Sequence, residues 1–550
     1  MSPIPPFSIM SQLKKYEFWV SISKVIFFIA LIFTIACNKN ERKQDRAKQI
    51  LRTSLDSDLP NLDPRAKTDC ISDNVMKMLF SGLVSYSQNN CITLEIAKSY
   101  KASSKYKTYI FSLKKTKWSD GTPLTAYDFE HSWKELLLTD FPGAAIDLLY
   151  LIKNAKKAKQ GTCPLKKVGI KALDDYTLRI DLENSQPTFI NILTHHTFYP
   201  IHSSMRGKIM RTKDLKSSEL TCSGPFKLKE QAFQDQLVLE KNSFYWNAKQ
   251  VRLDEIEFKM IKDEKTALLM FEQGLLDWLG SPFFEISSTS LQGLKQQGNL
   301  KTSQIAATRF LEFNVQRFPF DNASIRKALC YAIDRASLLQ TILHVGEGAL
   351  ALGLIPPVVK EKHWHPFFQD HDIVRARAYF EKGLDELGIT LEEFPKLTLL
   401  YPSSEPWHKI MQSIQQQWQD AFGIRCELES HDWKDLVGKL RSGDFEIGRY
   451  GWTLPYNDSS NLLELFKSAS HPHNHTRWQH PEYIHFLDQA RHTKAPSIRA
   501  ESLEAAERLL MEEMPIIPLD YIARPSIQQP NLKGVVFDFH GVDFRYVHFK

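Results

Sequence analysis

Residues 444–458 read DFEIGRYGWTLPYND and bring together side chains that could bind or transform a ligand. Arg449, Trp452, Pro455 and Asp458 lie within ten residues of one another, beside a glycine and just after an alternating stretch. A segment of this kind can hold a ligand, take part in cleaving one, or simply form a turn. The elements around it decide among these roles.

Residues 396–451 predict the elements that position this segment. KLTLLYP, IRCELES and FEIGRYG read as strands, and two helical stretches alternate with them, PWHKIMQSIQQQWQDAFG and DWKDLVGKLRSG. A β-α-β-α-β order requires parallel strands and right-handed crossovers. In open α/β sheets, ligands bind outside the carboxyl ends of the strands. The third of these ends is 449–453, so the segment 444–458 lies where a ligand is expected.

Other parts of the chain have clear periodicities. Alternation of apolar and polar residues predicts strands, and helical spacing with a capping-box-like start predicts helices. The predicted strands are 176–182, 236–241 and 256–260, and the predicted helices are 264–279, 322–343 and one that opens at Thr125.

Length and composition limit the class of protein. A chain of 550 residues predicts two or three lobes. The hydrophobic fraction of 43% and charged fraction of 24% are ordinary for globular proteins, which excludes disorder and a multi-span membrane protein. A net charge of +6 without a basic stripe gives no support for nucleic-acid binding. Seven cysteines without a CxxC pair indicate neither a zinc ribbon nor a dense disulfide scaffold.

The N-terminus predicts export. Three lysines precede the apolar run Val25–Ala36, which is too short to span a bilayer and fits the core of a signal peptide. The run ends in Thr34-Ile35-Ala36-Cys37, similar to the bacterial lipobox, although Thr34 stands where leucine is usual. We therefore expect Cys37 to be lipidated after removal of residues 1–36; the alternative is an uncleaved anchor. Translation from either Met1 or Met10 is compatible with this reading.

Sequence motifs for catalysis are absent. The chain contains no GxxxxGK[ST], no GxGxxG, no GxSxG and no HExxH, so neither a phosphate loop nor a hydrolase motif is visible. Two histidine-rich stretches, HWHPFFQDH (363–371) and HPHNHTRWQH (471–480), could suggest metal binding. A metal site needs three or four converging ligands. We expect solvated histidines, no metal, no cofactor and no catalytic residues.

Seven segments in chain order carry the pattern of a known family. They are Leu62-Asp63-Pro64, KWSDGTPLTAYDFEHSWKEL (117–136), SGPFKLKE (223–230), VLEKNSFYWN (238–247), VRLDEIEFKMIKDEKTALLMFEQGLLD (251–277), FNVQRFPFDNASIRKALCYAIDRASLL (313–339) and MPIIPLDY (514–521). Together they resemble the bacterial extracellular solute-binding proteins of the oligopeptide type, solute-binding family 5. The residues of 117–136 that match the family form a turn and a helix start, so they indicate the fold and not the ligand.

This resemblance implies an α/β, periplasmic-binding-protein-like class II clamp, with two α/β lobes joined by a hinge and an extra small domain. The implied boundaries are a signal peptide at 1–36, a lipid-anchored flexible tether at 37–49, a discontinuous lobe I at 50–84, 203–310 and 516–550, the extra domain at 85–202, and lobe II at 311–515.

The resemblance also implies a function. The chain would be the periplasmic, lipid-anchored binding component of a peptide ABC importer, a monomer without enzymatic activity. It would deliver oligopeptides to an inner-membrane permease that has separate ATPase subunits. Peptides in this family lie as an extra strand between the lobes, and main-chain hydrogen bonds hold them without regard to sequence.

The family pattern R-x-G-W-x-x-D-Y-N-[ED] aligns with 449–458 and implies the site residues. Arg449 would help to hold a peptide carboxylate. The implied ligand-binding residues are Arg449, Gly451, Trp452, Thr453, Asn457 and Asp458, with Cys70 and Ile71 as a pairing edge of the first lobe. From the residues alone, Trp452 could be ordinary core, and Arg449 could pair with a structural acid.

Pro455 departs from the pattern, because it stands where the family has the aspartate that binds the peptide's amino group. A buried ammonium without a carboxylate is costly. Either another carboxylate such as Asp458 takes the amine, or the amino end is held differently. We expect a weaker dependence on a free amino terminus than is usual in the family.

Other interpretations stay open on the sequence alone. The same scaffold could carry murein-derived peptides, nickel chelates or sugars, and the histidine stretches are the only support for a metal cargo. A secreted hydrolase would need a nucleophile and base that are not visible. A chemoreceptor or chaperone-like surface protein is a further alternative.

Overall fold

A six-stranded sheet carries Arg449 and its neighbours in the chain. In a computed structural model of the protein, its strands lie in the order Trp278–Gly280, Ile516–Gln528, Leu300–Phe313, Ile447–Thr453, Leu397–Pro402 and Cys426–His431. The last three strands are mutually parallel, and the three pairings among the first four strands are antiparallel. The predicted β-α-β-α-β unit is therefore confirmed.

The structure describes residues 48–66, 69–87, 89–143, 145–209, 212, 215–344, 349–359, 365–539 and 541–550. The predicted signal peptide and Cys37 lie outside these ranges. Within them, no helix combines the length and the apolar character needed to cross a membrane. The sheets and helices of the fold belong to one compact unit, Ile50–Lys550.

The two crossover helices follow from their apolar spacing and their glycine stops. Glu405–Phe422 buries Trp407, Ile410, Met411, Ile414, Trp418 and Phe422, three or four residues apart, on one face. Gly423 ends it in the left-handed region at φ 74°. Trp433–Ser442 ends in the same way at Gly443. Both helices pack against the sheet, and their buried side chains form one hydrophobic core with those of the strands.

A second, four-stranded sheet runs in the order Ile50–Leu55, Glu255–Met260, Gln236–Lys241 and Phe226–Ala232. Its first pair is parallel and the other pairs are antiparallel. The predicted strands at 236–241 and 256–260 are confirmed by this sheet.

A third sheet of four antiparallel strands lies in the segment predicted to be an extra domain. Its order is Ala97–Ala102, Thr108–Leu113, Thr177–Asp181 and Ile170–Asp174. Helix Ala126–Leu136 covers it, with Phe129 and Trp133 edge to face at 5.9 Å. Asp128 accepts a hydrogen bond from the Thr125 backbone, which confirms the predicted capping box.

Smaller elements complete the described fold. The remaining helices are Cys70–Leu79, Ala155–Lys159, Phe189–Ile192, Glu264–Glu272, Ser288–Gln296, Ala323–Tyr331, Arg335–Leu338, Ile373–Leu387, Ser460–Leu463, Pro481–His492 and Pro496–Glu513. Two-stranded ribbons pair Val84–Tyr86 with Ile92–Leu94, Thr116–Lys117 with Pro123–Leu124, Leu532–Lys533 with His548–Phe549, and Val536–Asp538 with Gly541–Asp543.

Two predicted helices were too long. The helix predicted at 264–279 ends at Glu272, because the segment Trp278–Gly280 pairs with Ile516–Gln528 as an edge strand. The second is broken at Asp334, whose side chain accepts from the Ser337 amide and starts a new helix. In each case a tertiary or capping interaction overrides helical periodicity.

A buried ion cluster joins the segment after Val84 to the C-terminal region. Arg545 donates to Glu95, and its Nε donates to Asp543 at 2.7 Å. Glu95 also accepts from Trp246 Nε1 at 2.7 Å and from the Tyr245 hydroxyl at 3.1 Å. Burial alone would raise the pKa of Glu95, but the Arg545 charge and the hydrogen bonds from Ser85, Trp246 and Arg545 together outweigh burial and hold the pKa below its ordinary value.

Replacing Glu95 with Gln is expected to lower the free energy of unfolding by about 3–5 kcal/mol, because it leaves part of a buried charge cluster unpaired. Urea unfolding measures the change. The matched control is Glu240→Gln, whose carboxylate pairs with Lys227 at 2.9 Å in a partly exposed position. For this control we expect less than about 1 kcal/mol. Equal losses in the two variants would contradict the structural role of the cluster.

Candidate ligand-binding site

The strand Ile447–Thr453 has one edge that is only partly used. Along its whole length it pairs with Leu300–Phe313. On the other side, its pairing with Leu397–Pro402 ends at Gly448. Residues 449–453 thus pair on a single edge within the described chain, and the other edge offers backbone donors and acceptors to an added strand.

Gly451 lets the neighbouring strand approach closely. A Cβ at this position would lie 3.0 Å from the Thr308 carbonyl oxygen and 3.4 Å from Arg309 Cα. The absence of a side chain therefore keeps the sheet tight beside Arg449.

Arg449 is a cation held between two tryptophans. Its Cζ lies 4.1 Å from the ring centroid of Trp407 and 5.9 Å from that of Trp433. The nearby Arg309 contacts the same Trp407 ring and is bound through two contacts of 2.9 and 3.0 Å to the Asp520 carboxylate. No carboxylate among the described residues forms an ion pair with Arg449, and its Nε is buried without a hydrogen-bond partner in that part of the chain.

The surroundings disfavour the charge on Arg449. Burial first, and then the positive charge of Arg309, lower the pKa of Arg449 from 12.5 to about 9, and Asp520 offsets only part of this. The group is still protonated at neutral pH. A guanidinium with a buried free donor binds carboxylates well, because its planar fork matches their two oxygens.

Trp452 lines a cavity of about 340 Å³ and is not ordinary core. Its Nε1 donates to Asn461 at 2.9 Å, and its ring lies 4.8 Å from that of His473. The cavity opens between residues 147–188 of the predicted extra domain and residues of 452–499. Both polar and apolar groups line it.

A second cavity, of about 250 Å³, lies at the end of the strand. Thr453, Leu454 and Pro455 form one wall. The opposite walls come from Cys70, Asp73, Lys77, Thr194, His195, His196, Tyr199, Ile305, Arg524 and Phe539. We call this the Pro455 pocket. Two of the predicted site residues, Thr453 and Cys70, meet in it.

The predicted pairing edge at Cys70 and Ile71 has a different local structure. These residues start the helix Cys70–Leu79, and the Cys70 carbonyl accepts from Asn74 Nδ2 at 2.8 Å. A helical backbone cannot pair as a strand, because its hydrogen bonds run along the helix axis. Cys70 reaches the pocket through its side chain, which accepts from Arg524 Nη2 at 2.9 Å.

Asn457 and Asp458 are engaged in packing. The Asn457 amide donates to the Tyr86 hydroxyl at 2.8 Å, and its carbonyl accepts from Asn191 at 2.8 Å. Asp458 is 4% exposed and accepts from Arg499 Nη2 at 2.7 and 2.9 Å. Its carboxylate therefore already has a cationic partner.

The histidines are less solvated than expected. His475 is 1% exposed and lies 2.8 Å from the buried Glu312 carboxylate. His471 and His473 line the 340 Å³ cavity, and burial lowers the pKa of both. Among the residues that the structure describes, no three potential ligands converge on a metal position.

The chain matches the pattern of known proteins over most of its length. The sequence profile of the bacterial extracellular solute-binding proteins, family 5, matches residues 92–474. The chain belongs to this family.

Sequence matches to individual solute-binding proteins extend over almost the whole chain. The oligopeptide-binding protein OppA of Bacillus subtilis is 34% identical over 537 residues, covering 95% of this chain and 98% of the relative. The periplasmic murein peptide-binding protein MppA of Escherichia coli is 29% identical over 492 residues, covering 88% and 90%.

Solved structures of solute-binding proteins have the same fold as this chain. The unliganded open form of the murein tripeptide-binding protein MppA has a TM-score of 0.80 at 28% identity, covering 92% of this chain and 98% of that one. An oligopeptide-binding protein of Borrelia burgdorferi has a TM-score of 0.72 at 26% identity, covering 92% and 100%. The predicted clamp fold is confirmed, and the family is one of extracellular solute-binding proteins and not of enzymes.

Several site residues were not predicted from the sequence. Trp407 and Trp433 follow the carboxyl ends of two parallel strands, so the topological rule already pointed to their positions. Asp73, His196 and Arg524 are far apart in the chain, and no local pattern signals that they line one pocket.

Gly451→Ala is expected to destabilise the protein by about 1–3 kcal/mol, because the new Cβ forces the strand at Thr308 to shift. Thermal unfolding measures this. The control is Gly438→Ala, in helix Trp433–Ser442, where a Cβ meets nothing within 4 Å. That change should be neutral or stabilise by up to about 1 kcal/mol. A neutral Gly451→Ala would refute the close approach.

Proposed function

We propose that this protein captures oligopeptides between its two lobes and delivers them to a membrane ABC permease with separate ATPase subunits. Relatives named for oligopeptide binding support the proposal, as do their lengths, which match this chain. The observation that carries it is Arg449, a cation that has no carboxylate partner among the described residues and lies beside a partly used strand edge.

The strand edge suits a peptide backbone. An extended peptide added along 449–453 would gain main-chain hydrogen bonds that do not depend on its sequence. Its carboxyl end would lie at Arg449, between Trp407 and Trp433. Side chains would alternate toward the two faces of the sheet, where the two cavities offer room. Gly451, Trp452 and Thr453 would contact the peptide, whereas Asn457 and Asp458 would support the site through packing.

Native mass spectrometry of the purified mature chain tests the proposal directly, because a clamp of this kind is expected to retain cargo. We expect masses of bound peptides that disappear on denaturation. Their sequences would also separate nutrient peptides from murein-derived ones. A purified protein that neither carries nor takes up peptides would contradict the proposal.

Arg449→Met is expected to weaken binding of tri- to penta-alanine by roughly 30-fold, because one partner of a buried charge pair is lost. Calorimetry with free-acid and C-terminally amidated peptides measures the effect. The native chain should prefer the free acid, and the variant should lose this preference. Arg317→Met is the control, since Arg317 is half exposed and only 3.8 Å from the exposed Asp444. Equal preference for acid and amide in the native chain would refute a carboxylate site at Arg449.

We also propose that Cys37 carries a lipid that anchors the protein to the membrane of the cell envelope. Support comes from the lipobox-like Thr34-Ile35-Ala36-Cys37 and the charged tether that follows it. In a bacterial host, the native chain should incorporate a palmitate analogue and sediment with membranes, and Cys37→Ser should do neither. Cys163→Ser is the control. Membrane sedimentation of Cys37→Ser without label would instead indicate an uncleaved anchor.

A further inference from the structure

A fully buried pair anchors the histidine-rich stretch 471–480 to the strand Leu300–Phe313. His475 Nδ1 lies 2.8 Å from Glu312 Oε2, and this hydrogen bond fixes both the position and the plane of the imidazole ring. His475 is 1% exposed and Glu312 is 0% exposed. In the sheet, Glu312 stands opposite Gly448, the residue before Arg449. The pair therefore lies directly behind the start of the proposed peptide-binding edge.

Stabilisation of the fold is a poor explanation for this pair. Burial raises the pKa of Glu312, and the hydrogen bond and charge of His475 offset only part of the shift. Glu312 Oε1 and His475 Nε2 are buried without a hydrogen-bond partner in the described chain. Apolar residues of the same volume often stabilise a protein as well as a buried polar pair does, or better. The role of the pair is therefore better sought in what the imidazole ring contacts.

The histidines hold Tyr450 on two sides. The rings of His475 and Tyr450 are edge to face, with centroids 4.7 Å apart and an interplanar angle of 89°. The Tyr450 hydroxyl lies 3.2 Å from His473 Nδ1, within hydrogen-bond distance. Tyr450 is 6% exposed. A buried ring with contacts at both its face or edge and its hydroxyl has one orientation available to it.

Tyr450 in turn carries one of the two tryptophans at Arg449. The rings of Tyr450 and Trp433 are stacked, with centroids 5.9 Å apart and an interplanar angle of 5°. Arg449 Cζ lies 5.9 Å from the centroid of the same Trp433 ring. Trp407, the other tryptophan, is 9% exposed and is held by the core, whereas Trp433 is 49% exposed. A half-exposed side chain has little packing of its own, so the stack on Tyr450 sets its orientation.

We propose that Glu312 and His475 are positioning residues of the carboxylate site: they fix Tyr450, and Tyr450 fixes Trp433 against Arg449. The proposal rests on the proposed peptide-binding function and extends it to residues that do not touch the peptide. It also gives the histidine-rich stretch a role in peptide binding that requires no metal. A preformed site binds its ligand more tightly, because the side chains lose less freedom when the ligand arrives.

Calorimetry with tetra-alanine as the free acid and as the C-terminal amide tests the proposal. The measured quantity is the ratio of the two affinities, because a loss of stability alone weakens both peptides equally. Tyr450→Leu should lower the ratio roughly threefold, the size expected for a weakened cation–π contact. The matched control is Tyr483→Leu, which removes another buried ring, bonded to the Leu463 carbonyl at 2.7 Å. This control should keep the native ratio.

Two substitutions of Glu312 test the start of the chain of contacts. Glu312→Leu leaves His475 without its partner and should lower the ratio as Tyr450→Leu does. Glu312→Gln keeps an oxygen that can accept from His475, so it should retain most of the native ratio. A native ratio in Glu312→Leu would overturn the positioning role.

A double-mutant cycle tests whether the effect passes through Trp433. Trp433→Leu should lower the ratio, and adding Tyr450→Leu to it should change the ratio no further. An additive loss, or an unchanged ratio in Trp433→Leu, would overturn the proposal. Because Trp433 is half exposed, this variant provides the test should the variants of buried residues not fold.

Failure of the inference differs from failure of the proposed function. A native ratio well above one that survives both Tyr450→Leu and Glu312→Leu would overturn the inference and leave the carboxylate site at Arg449 intact. Absence of binding of either peptide to the native chain would instead contradict the proposed function.

Discussion

The pairing of Leu300–Phe313 with Ile516–Gln528 is the constraint on which the site depends. These two strands are the longest described. Leu300–Phe313 crosses the predicted lobe boundary at 310/311, and Ile516–Gln528 begins directly after the predicted boundary at 515/516. Their register is interrupted between Gln304 and Thr308 and resumes on both sides. Ile305, in this interruption, lines the Pro455 pocket. The ladder between these two strands is therefore continuous at both ends and irregular between them, while Leu300–Phe313 keeps its pairing with Ile447–Thr453 from Ala307 onward.

Charge compensation separates the parts of the molecule that hold the fold from those that can hold a ligand. Glu95 with Arg545, Arg309 with Asp520, and Asp458 with Arg499 are buried or partly buried pairs in which each charge has its partner. Such pairs fix geometry, and they leave no charge for an incoming group. Arg449 lacks a carboxylate among the described residues, although it lies close to two of these charges. An uncompensated cation in that setting is costly, and an anion that paired with Arg449 would offset this cost.

The sequence predicted most of what depends on neighbours in the chain. The alternation of apolar residues, the helical spacing and the helix ends at Gly423 and Gly443 were enough to predict the parallel β-α-β-α-β unit and the location of Arg449 in it. The break at Asp334 and the edge strand at Trp278 were missed, because each depends on a contact that periodicity does not record. Residues of the Pro455 pocket lie more than 450 positions apart, from Cys70 to Arg524, and only the folded sheet brings them together.

Pro455 divides the segment 444–458 into two parts with different roles. The Leu454 amide donates to the Ala306 carbonyl at 2.9 Å, and the next residue has no amide hydrogen to continue the ladder. The chain therefore leaves the sheet at this point. Beyond it, Asn457 bonds with Tyr86 and Asn191, and Asp458 bonds with Arg499. Residues 449–453 are thus able to face a ligand, while 456–458 fasten the strand to its surroundings. A proline at the junction supplies neither a side-chain charge nor an amide donor, and it marks the point at which the chain leaves the sheet.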